Sequence, residues 1–175
     1  MAEPLRFGAF DRKLHDRSGF DCGVAALNAY LRTSLGQHGR RDLTRGYVAV
    51  DAANRVVGYF TLAAGRLSVS VFPERGGLPA KMPLPTTLLA RLAVAGARQG
   101  RGIGAALLAY ALHVAVEGAE SIASALIEVD AKDDTARSFY ARFGFRSLTD
   151  DRLHMFLSME TARQAIGKGR LPGVS

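Results

Sequence analysis

The stretch Gln99-Gly100-Arg101-Gly102-Ile103-Gly104 limits the folds open to this 175-residue chain more than any other. It follows an apolar segment of strand character, Leu88-Leu89-Ala90-Arg91-Leu92-Ala93-Val94. It opens an apolar segment of helical character, Ala105 to Val116. Strand, glycine-rich turn and helix in that order leave backbone N–H groups without intrahelical partners where the helix dipole is positive. Such a junction holds a phosphate or diphosphate without needing a side chain. Glycine supplies positive φ and lets the backbone come close to a ligand. The chain is therefore expected to bind a nucleotide-like molecule, and the question is which one.

The order of elements narrows the choice. Leu5 to Phe10 reads as a first strand. Asp21 can cap a helix over Val24 to Gln37, in which Ala26, Leu27, Tyr30, Leu31 and Leu35 recur at helical spacing. His38 to Thr44 is polar and basic, a helix end and loop. Gly46 to Val50 and Val56 to Leu62 read as strands around the turn Asp51-Ala52-Ala53-Asn54. Arg66 to Phe72 alternates and is expected to continue the sheet. Pro73 to Pro85 holds four of the six prolines and reads as a loop with a short helical turn. After the glycine turn come a helix over 103–117, an apolar strand Ile122 to Val129, and a helix from Asp133 or Asp134 to Arg142. A strand beginning at Phe143-Gly144-Phe145 and a last strand Leu153 to Met159 follow. This predicts one domain over residues 1–166 and a flexible basic tail over 167–175.

Charge divides the chain. Residues 1–100 carry 14 Lys/Arg against 7 Asp/Glu, whereas residues 101–175 carry nine of each. The whole excess of +7 therefore lies in the first part, where Arg32, Arg40, Arg41 and Arg45 cluster against Asp42 alone. Arg matches phosphate in bidentate geometry, so a polyanionic partner competes with a plain solvated surface as the reading of this cluster. Cys22 is the single cysteine and the four histidines are scattered, so no metal cluster is expected. No apolar run reaches the length expected of a membrane span, and Met1-Ala2-Glu3-Pro4 does not open a signal peptide. A cytoplasmic protein is expected.

Three glycine loops compete. A P-loop needs Gly-Lys-Ser/Thr, but Ala105-Ala106 follows Gly104. A dinucleotide fingerprint fits as Gly100-x-Gly102-x-x-Ala105 with Glu128 as a distant acid, but that fold opens with its βαβ unit. The third loop, Gln99-x-x-Gly102-x-Gly104, resembles motif A of the Gcn5-related N-acetyltransferases, which holds the pyrophosphate of acetyl-CoA. Asp133-Asp134-Thr135-Ala136-Arg137-Ser138-Phe139-Tyr140-Ala141-Arg142-Phe143-Gly144-Phe145 resembles the same superfamily's motif B. There Ala136, Phe139, Tyr140, Gly144 and Phe145 fit, and Asp133 stands where many members have Asn. The resemblance runs from Leu5 to Met159. It implies an α/β (α+β) fold: a mixed, mostly antiparallel sheet of six to seven strands flanked by four helices.

A narrower resemblance is to acetyltransferase toxins of bacterial toxin–antitoxin pairs. Phe20-Asp21-Cys22-Gly23 with Leu27 and Leu31 resembles their opening, and Pro83-Leu84-Pro85 through Leu88-Leu89-Ala90-Arg91-Leu92-Ala93-Val94 resembles a second segment of theirs. The resemblance implies acetylation of the amino group of aminoacyl-tRNA, a ribbon-helix-helix antitoxin and a homodimer, with no membrane. Acetyl-CoA is the implied co-substrate and no metal is needed. Leu92, Ala93 and Val94 would pair with the pantetheine arm. Arg98, Gln99, Gly100, Arg101, Gly102, Ile103 and Gly104 would hold the pyrophosphate, with Asp133, Ala136 and Phe139 completing the CoA site. Tyr140 would be the general acid for the leaving thiolate. Arg32, Arg40, Arg41, Arg45 and Arg91 are candidate RNA contacts, although Arg91 is equally placed to meet CoA phosphate or an acidic partner. Cys22 reads as a small buried residue, Glu128 and Asp130 as strand-end surface acids, and His38 as solvated. An acetyltransferase for a small amine or a protein N-terminus, and a CoA- or RNA-binding module without turnover, are the competing functions.

Overall fold

The computed structural model describes residues 3–74 and 76–167, so residues 168–175 of the expected tail lie outside the described residues. Seven strands form one sheet in the order β1-β2-β3-β4-β5-β7-β6. They are β1 (Arg6–Ala9), β2 (Arg45–Val50), β3 (Val56–Ser68), β4 (Pro83–Val94), β5 (Leu126–Asp130), β6 (Arg146–Ser147) and β7 (His154–Ser158). The pairs β1–β2, β2–β3, β5–β7 and β6–β7 are antiparallel and β4–β5 is parallel. The sheet is mixed, as expected. Four helical runs accompany it. The first is α1 (Ala25–Ala29), a π-helical turn (Tyr30–Ser34) and α2 (Leu35–Arg40) end to end; the others are α3 (Ile103–Ser121), α4 (Asp134–Arg142) and α5 (Met159–Gly167).

Several boundaries differ from the sequence expectation, each for a local reason. The first helix runs on to Arg40 rather than stopping at Gln37. The expected strand over 66–72 ends at Ser68. There the Ser68 hydroxyl accepts from the N–H of Ser70 (3.3 Å) and starts a 3-10 turn, Val69–Val71. Ile122 is not in β5 but follows the end of α3, where its N–H bonds Gly118 O and its side chain is 80% exposed. Phe143-Gly144-Phe145 is a helix stop rather than a strand start: Gly144 has φ +93, and Phe145 N–H returns to Tyr140 O. Helix α5 was not expected. Its signal was Ser158, whose hydroxyl accepts from Thr161 N–H (3.1 Å), with Glu160 in the first turn. The expectation that no segment has the length and apolarity of a membrane span is also revised. By those two measures α3, with 19 residues and mean hydropathy 1.3, qualifies. Its Leu107, Leu108, Ala111, Leu112 and Ala115 are buried within the protein.

Two compact units divide the described residues: 3–63 with 90–111, and 64–89 with 112–167. The first holds β1, the helical run over 25–40, β2, the glycine turn and the start of α3. Its core joins Phe20, Tyr30, Leu31, Leu35, Val48, Val56, Tyr59 and Ala93. A second aromatic group packs Tyr47 on Phe60 at 5.0 Å, with Tyr110 edge-on to both. The β2–β3 turn is built on Asp51, whose carboxylate accepts from the N–H groups of Ala53 (3.0 Å) and Arg55 (2.9 Å). Burial alone would raise the Asp51 pKa, but these bonds and the Arg55 guanidinium outweigh it and hold the carboxyl below its usual range.

The second unit holds β5, β6, β7, α4 and α5. Its apolar core joins Leu67, Val69, Leu84, Leu126, Leu148 and Phe156. The β4–β5 ladder pairs Thr86 with Leu126 through Leu89 with Val129. Strand β5 pairs next with β7, from Leu126↔Ser158 to Asp130↔His154.

Candidate active site

In the first unit, β4 ends at Val94 and a 3-10 turn (Gly96–Arg98) leads into Gln99 to Gly104. Gly100 (φ +74) and Gly102 (φ +78) are left-handed, which only glycine adopts without strain. A Cβ on either would meet nothing within 4 Å, so the backbone faces open space. Ala106 N–H bonds Gly102 O (3.0 Å), whereas the N–H groups of residues 100–105 have no backbone partner among the described residues. Six N–H donors without a backbone partner thus line an open turn at a helix N-terminus, the arrangement in which an anion meets the positive end of a helix dipole.

The turn is held from behind. The Gln99 side-chain amide donates to Val94 O (3.0 Å) and Cys22 O (3.3 Å), and Gly96 N–H donates to Asp21 O (2.8 Å). Asn28, buried, receives Cys22 N–H on its side-chain oxygen and donates to the Asp21 carboxylate, both at 2.9 Å. Gly23 has φ +84, and its N–H bonds the same carboxylate. The segment Phe20-Asp21-Cys22-Gly23 is thus a rigid bracket against which the glycine turn is built. Sequence reasoning missed Asn28; its one signal was a polar residue on the apolar face of a helix.

The arginines separate by their contacts. Arg98 turns away from the cradle to Glu3 (3.2 Å) and Asp51 (3.8 Å), so its backbone, not its guanidinium, belongs to the turn. Arg32 donates to Phe20 O (3.2 Å), and Arg45 to Gly39 O and the Asp42 carboxylate. Arg91 lies 3.6 Å above the centre of the Tyr30 ring, the geometry of a cation–π contact. The Tyr30 hydroxyl meets His38 Nδ1 at 3.0 Å, so His38 is half-buried rather than solvated. Burial pushes the Tyr30 phenol up, against the pull of Arg91. Arg40, Arg41 and Arg101 are exposed, and their guanidinium groups make no hydrogen bond or ion pair with the described residues.

In the second unit, Asp133 caps α4 by accepting the N–H of Ala136 (2.8 Å). The capping geometry is open equally to Asn, which accounts for either residue standing there. Tyr140 is buried beside Phe139 and Phe145, with ring centres 5.2 and 5.5 Å away. Burial pushes its phenol up to about 12, so it keeps its proton at neutral pH. Leu92, Val94, Ala136 and Phe139 are half-buried, and Ala93 and Ile103 are buried. Asp130 is an exposed strand-end acid as read, but Glu128 is not: it is buried, with Thr86 Oγ1 at 2.5 Å and His154 Nε2 at 2.8 Å. No cluster of three potential metal ligands occurs among the described residues.

Residues 42–147 match the model of the acetyltransferase (GNAT) domain. A tRNA-acetylating toxin of Mycobacterium tuberculosis is 38% identical over 152 residues, covering 87% of this chain and 91% of the relative. A probable toxin TacT of Sinorhizobium fredii is 26% identical, covering 95% of both chains. Among solved structures, a tyrosine-to-phenylalanine variant of KacT superposes with a TM-score of 0.86 at 27% identity, covering 91% of this chain and 98% of that one. AtaT complexed with acetyl-methionyl-tRNAfMet gives 0.85 at 27% identity, covering 92% and 98%. AtaT bound to the C-terminus of the antitoxin AtaR and acetyl-CoA gives 0.79 at 27% identity, covering 91% and 96%. With the strand order, the glycine cradle and the two motifs in place, this chain belongs to the GNAT acetyltransferase family.

Proposed function

We propose that this chain transfers the acetyl group of acetyl-CoA to the α-amino group of aminoacyl-tRNA, and so acts as a translation-blocking toxin. The observation that carries it is the row of open N–H groups over residues 100–105, pinned by Gln99, in a chain 38% identical to a tRNA-acetylating toxin. The residues present fit the co-substrate. Gly100 and Gly102 leave room for a pyrophosphate, and Gln99, Arg101, Ile103 and Gly104 complete the turn around it. Strand β4 runs five residues past its ladder with β5, which ends at Leu89, and so offers Leu92 to Val94 as an edge for the pantetheine amides. Ala136 and Phe139, on α4 behind the Asp133 cap, are assigned to the same co-substrate.

The chemistry needs a neutral amine, a polarised thioester carbonyl and a proton for the leaving sulfur. The amine nitrogen attacks the acetyl carbon, the C–S bond breaks and the leaving sulfur takes the Tyr140 proton; the surplus proton on the new amide nitrogen passes to water, and water reprotonates the Tyr140 phenolate. A backbone N–H of Leu92 to Val94 polarises the carbonyl. An α-amino group has a pKa near 7.7–8.0, so a large fraction is neutral at physiological pH and we assign no protein base. Of the candidate RNA contacts, Arg40 and Arg41 have side chains free to meet RNA phosphates, whereas Arg32, Arg45 and Arg91 contribute positive potential from fixed positions. A ribbon-helix-helix antitoxin, a homodimer and a cytoplasmic location, where aminoacyl-tRNA is used, complete the reading. Antitoxin complexes of AtaT and KacT support an antitoxin partner of some kind.

The test is transfer of label from acetyl-CoA to aminoacyl-tRNA, with Tyr140→Phe as the comparison. Label is expected on the amino acid, and the variant is expected to lose about 10²-fold or more in kcat. Label reaching only free amines or protein N-termini refutes the tRNA reading and leaves the acetyltransferase. A fully active variant refutes the role of Tyr140.

A further inference from the structure

In the second unit one imidazole lies between two carboxylates. His154 Nε2 is 2.8 Å from Glu128 Oε2, and His154 Nδ1 is 2.9 Å from Asp150 Oδ2. A neutral imidazole has one donor nitrogen and one acceptor nitrogen, and an ionised carboxylate only accepts. Both contacts are hydrogen bonds only if both ring nitrogens carry protons. Glu128 is enclosed: its other oxygen receives Thr86 Oγ1, and the Gly65 backbone lies so close that a Cβ there would collide with both groups. No room is left for a substrate at this carboxylate, which therefore acts through its neighbours.

Those neighbours lead to α4. The loop over 148–153, between β6 and β7, carries Asp150 and Arg152 and ends at His154. The Arg152 guanidinium pairs with Asp134 in the first turn of α4, and Arg152 O receives both Arg137 Nε (3.2 Å) and Ser147 Oγ (2.6 Å). Ala131 N–H bonds Leu153 O (2.8 Å), just before the Asp133 cap. Tyr140 lies one helical turn beyond Arg137.

We propose that His154 is held as an imidazolium by Glu128 and Asp150 and is a positioning residue for Tyr140, locking the loop over 148–153 that fixes the start of α4. The role rests on the reading of Tyr140 as the acid. The charged groups around the imidazole are Glu128 and Asp130 on β5 and Asp150 on the loop. Burial alone would lower the His154 pKa, but hydrogen bonds to Asp150 and Glu128 outweigh it and hold it above the ordinary value. The lock holds below that raised pKa while both carboxylates are ionised, and it is lost as pH rises through it. Tyr140, pushed up to about 12, does not titrate in the same range.

The experiment is NMR of the full chain with ¹⁵N-labelled histidine, alongside steady-state kinetics from pH 6 to 9.5. His154→Gln assigns the signal. His154 is expected to carry both protons at pH 7.5, and Asp150→Asn, on the exposed loop, is expected to lower its midpoint. The alkaline fall in kcat should move down with that midpoint while KM for acetyl-CoA holds. His154→Gln should lose about tenfold in kcat and lack that fall. A singly protonated His154 at pH 7.5 overturns the proposal. So does an Asp150→Asn enzyme whose midpoint moves but whose kcat profile does not. Failure of the Tyr140 reading is distinguishable, because a fully active Tyr140→Phe enzyme would leave the His154 titration intact.

Discussion

Thr61 on β3 is fully buried, and its hydroxyl has no hydrogen-bond partner among the described residues. A buried polar group without a partner costs about 1–3 kcal/mol, and removing the group removes the cost. Valine has nearly the same shape and suits a strand. Thr61→Val is therefore expected to stabilise the protein by about 1 kcal/mol, a rise of about 2–4 °C in Tm for a chain of this size. Thermal unfolding followed by circular dichroism reads it, and a lower Tm would mean that the hydroxyl has a partner. Glu128 is the opposite case, a buried acid with every oxygen engaged. Nothing in the local sequence marks either state. Thr86 and His154 lie 42 and 26 positions from Glu128, so its burial was invisible to a reading that sees neighbours along the chain. The helix that carries Tyr140 was legible because Asp133 to Arg142 form one continuous segment with its own cap.

At the scale of elements, caps and turns carry most of what a sequence can announce. Helix α4 declares itself through Asp133, and its cap is the observed bond to Ala136 N–H. Asp133→Ala is expected to cost about 1 kcal/mol, whereas Asp133→Asn keeps the acceptor and costs a few tenths at most. Urea unfolding of the two variants separates them; equal losses would mean that the carboxylate does something other than cap. The glycine turn was legible for the same reason, since left-handed Gly100 and Gly102 have few substitutes. What surrounds it was not. The π-helical turn Tyr30–Ser34 leaves no mark on apolar spacing, yet it carries the Tyr30 ring beneath Arg91. Helix α5 was missed because the strand-like run Leu153 to Met159 masked the Ser158 cap. Strand β6 shrank to two residues because Gly144 belongs to the end of α4.

For the whole molecule, charge is the property that reaches beyond contacts. The net +7 lies in the first 100 residues, but many of its arginines are engaged: Arg55 with Asp51, Arg98 with Glu3, Arg45 with Asp42. Arg40 and Arg41 remain free among the described residues. Reversing both to Glu is expected to weaken tRNA binding and to flatten the plot of log affinity against log salt by about two counterions. Filter binding at several salt concentrations measures both, and an unchanged slope would place the RNA elsewhere. The bracket behind the glycine turn also has a consequence in time. Cys22 and Gln99 are 77 positions apart, so the bond between them closes a long loop. During synthesis the first helix and the β2–β3 hairpin can form from local contacts, but the cradle must wait until residues past Gly104 have emerged. A chain released before Gly104 has emerged therefore has no cradle to load.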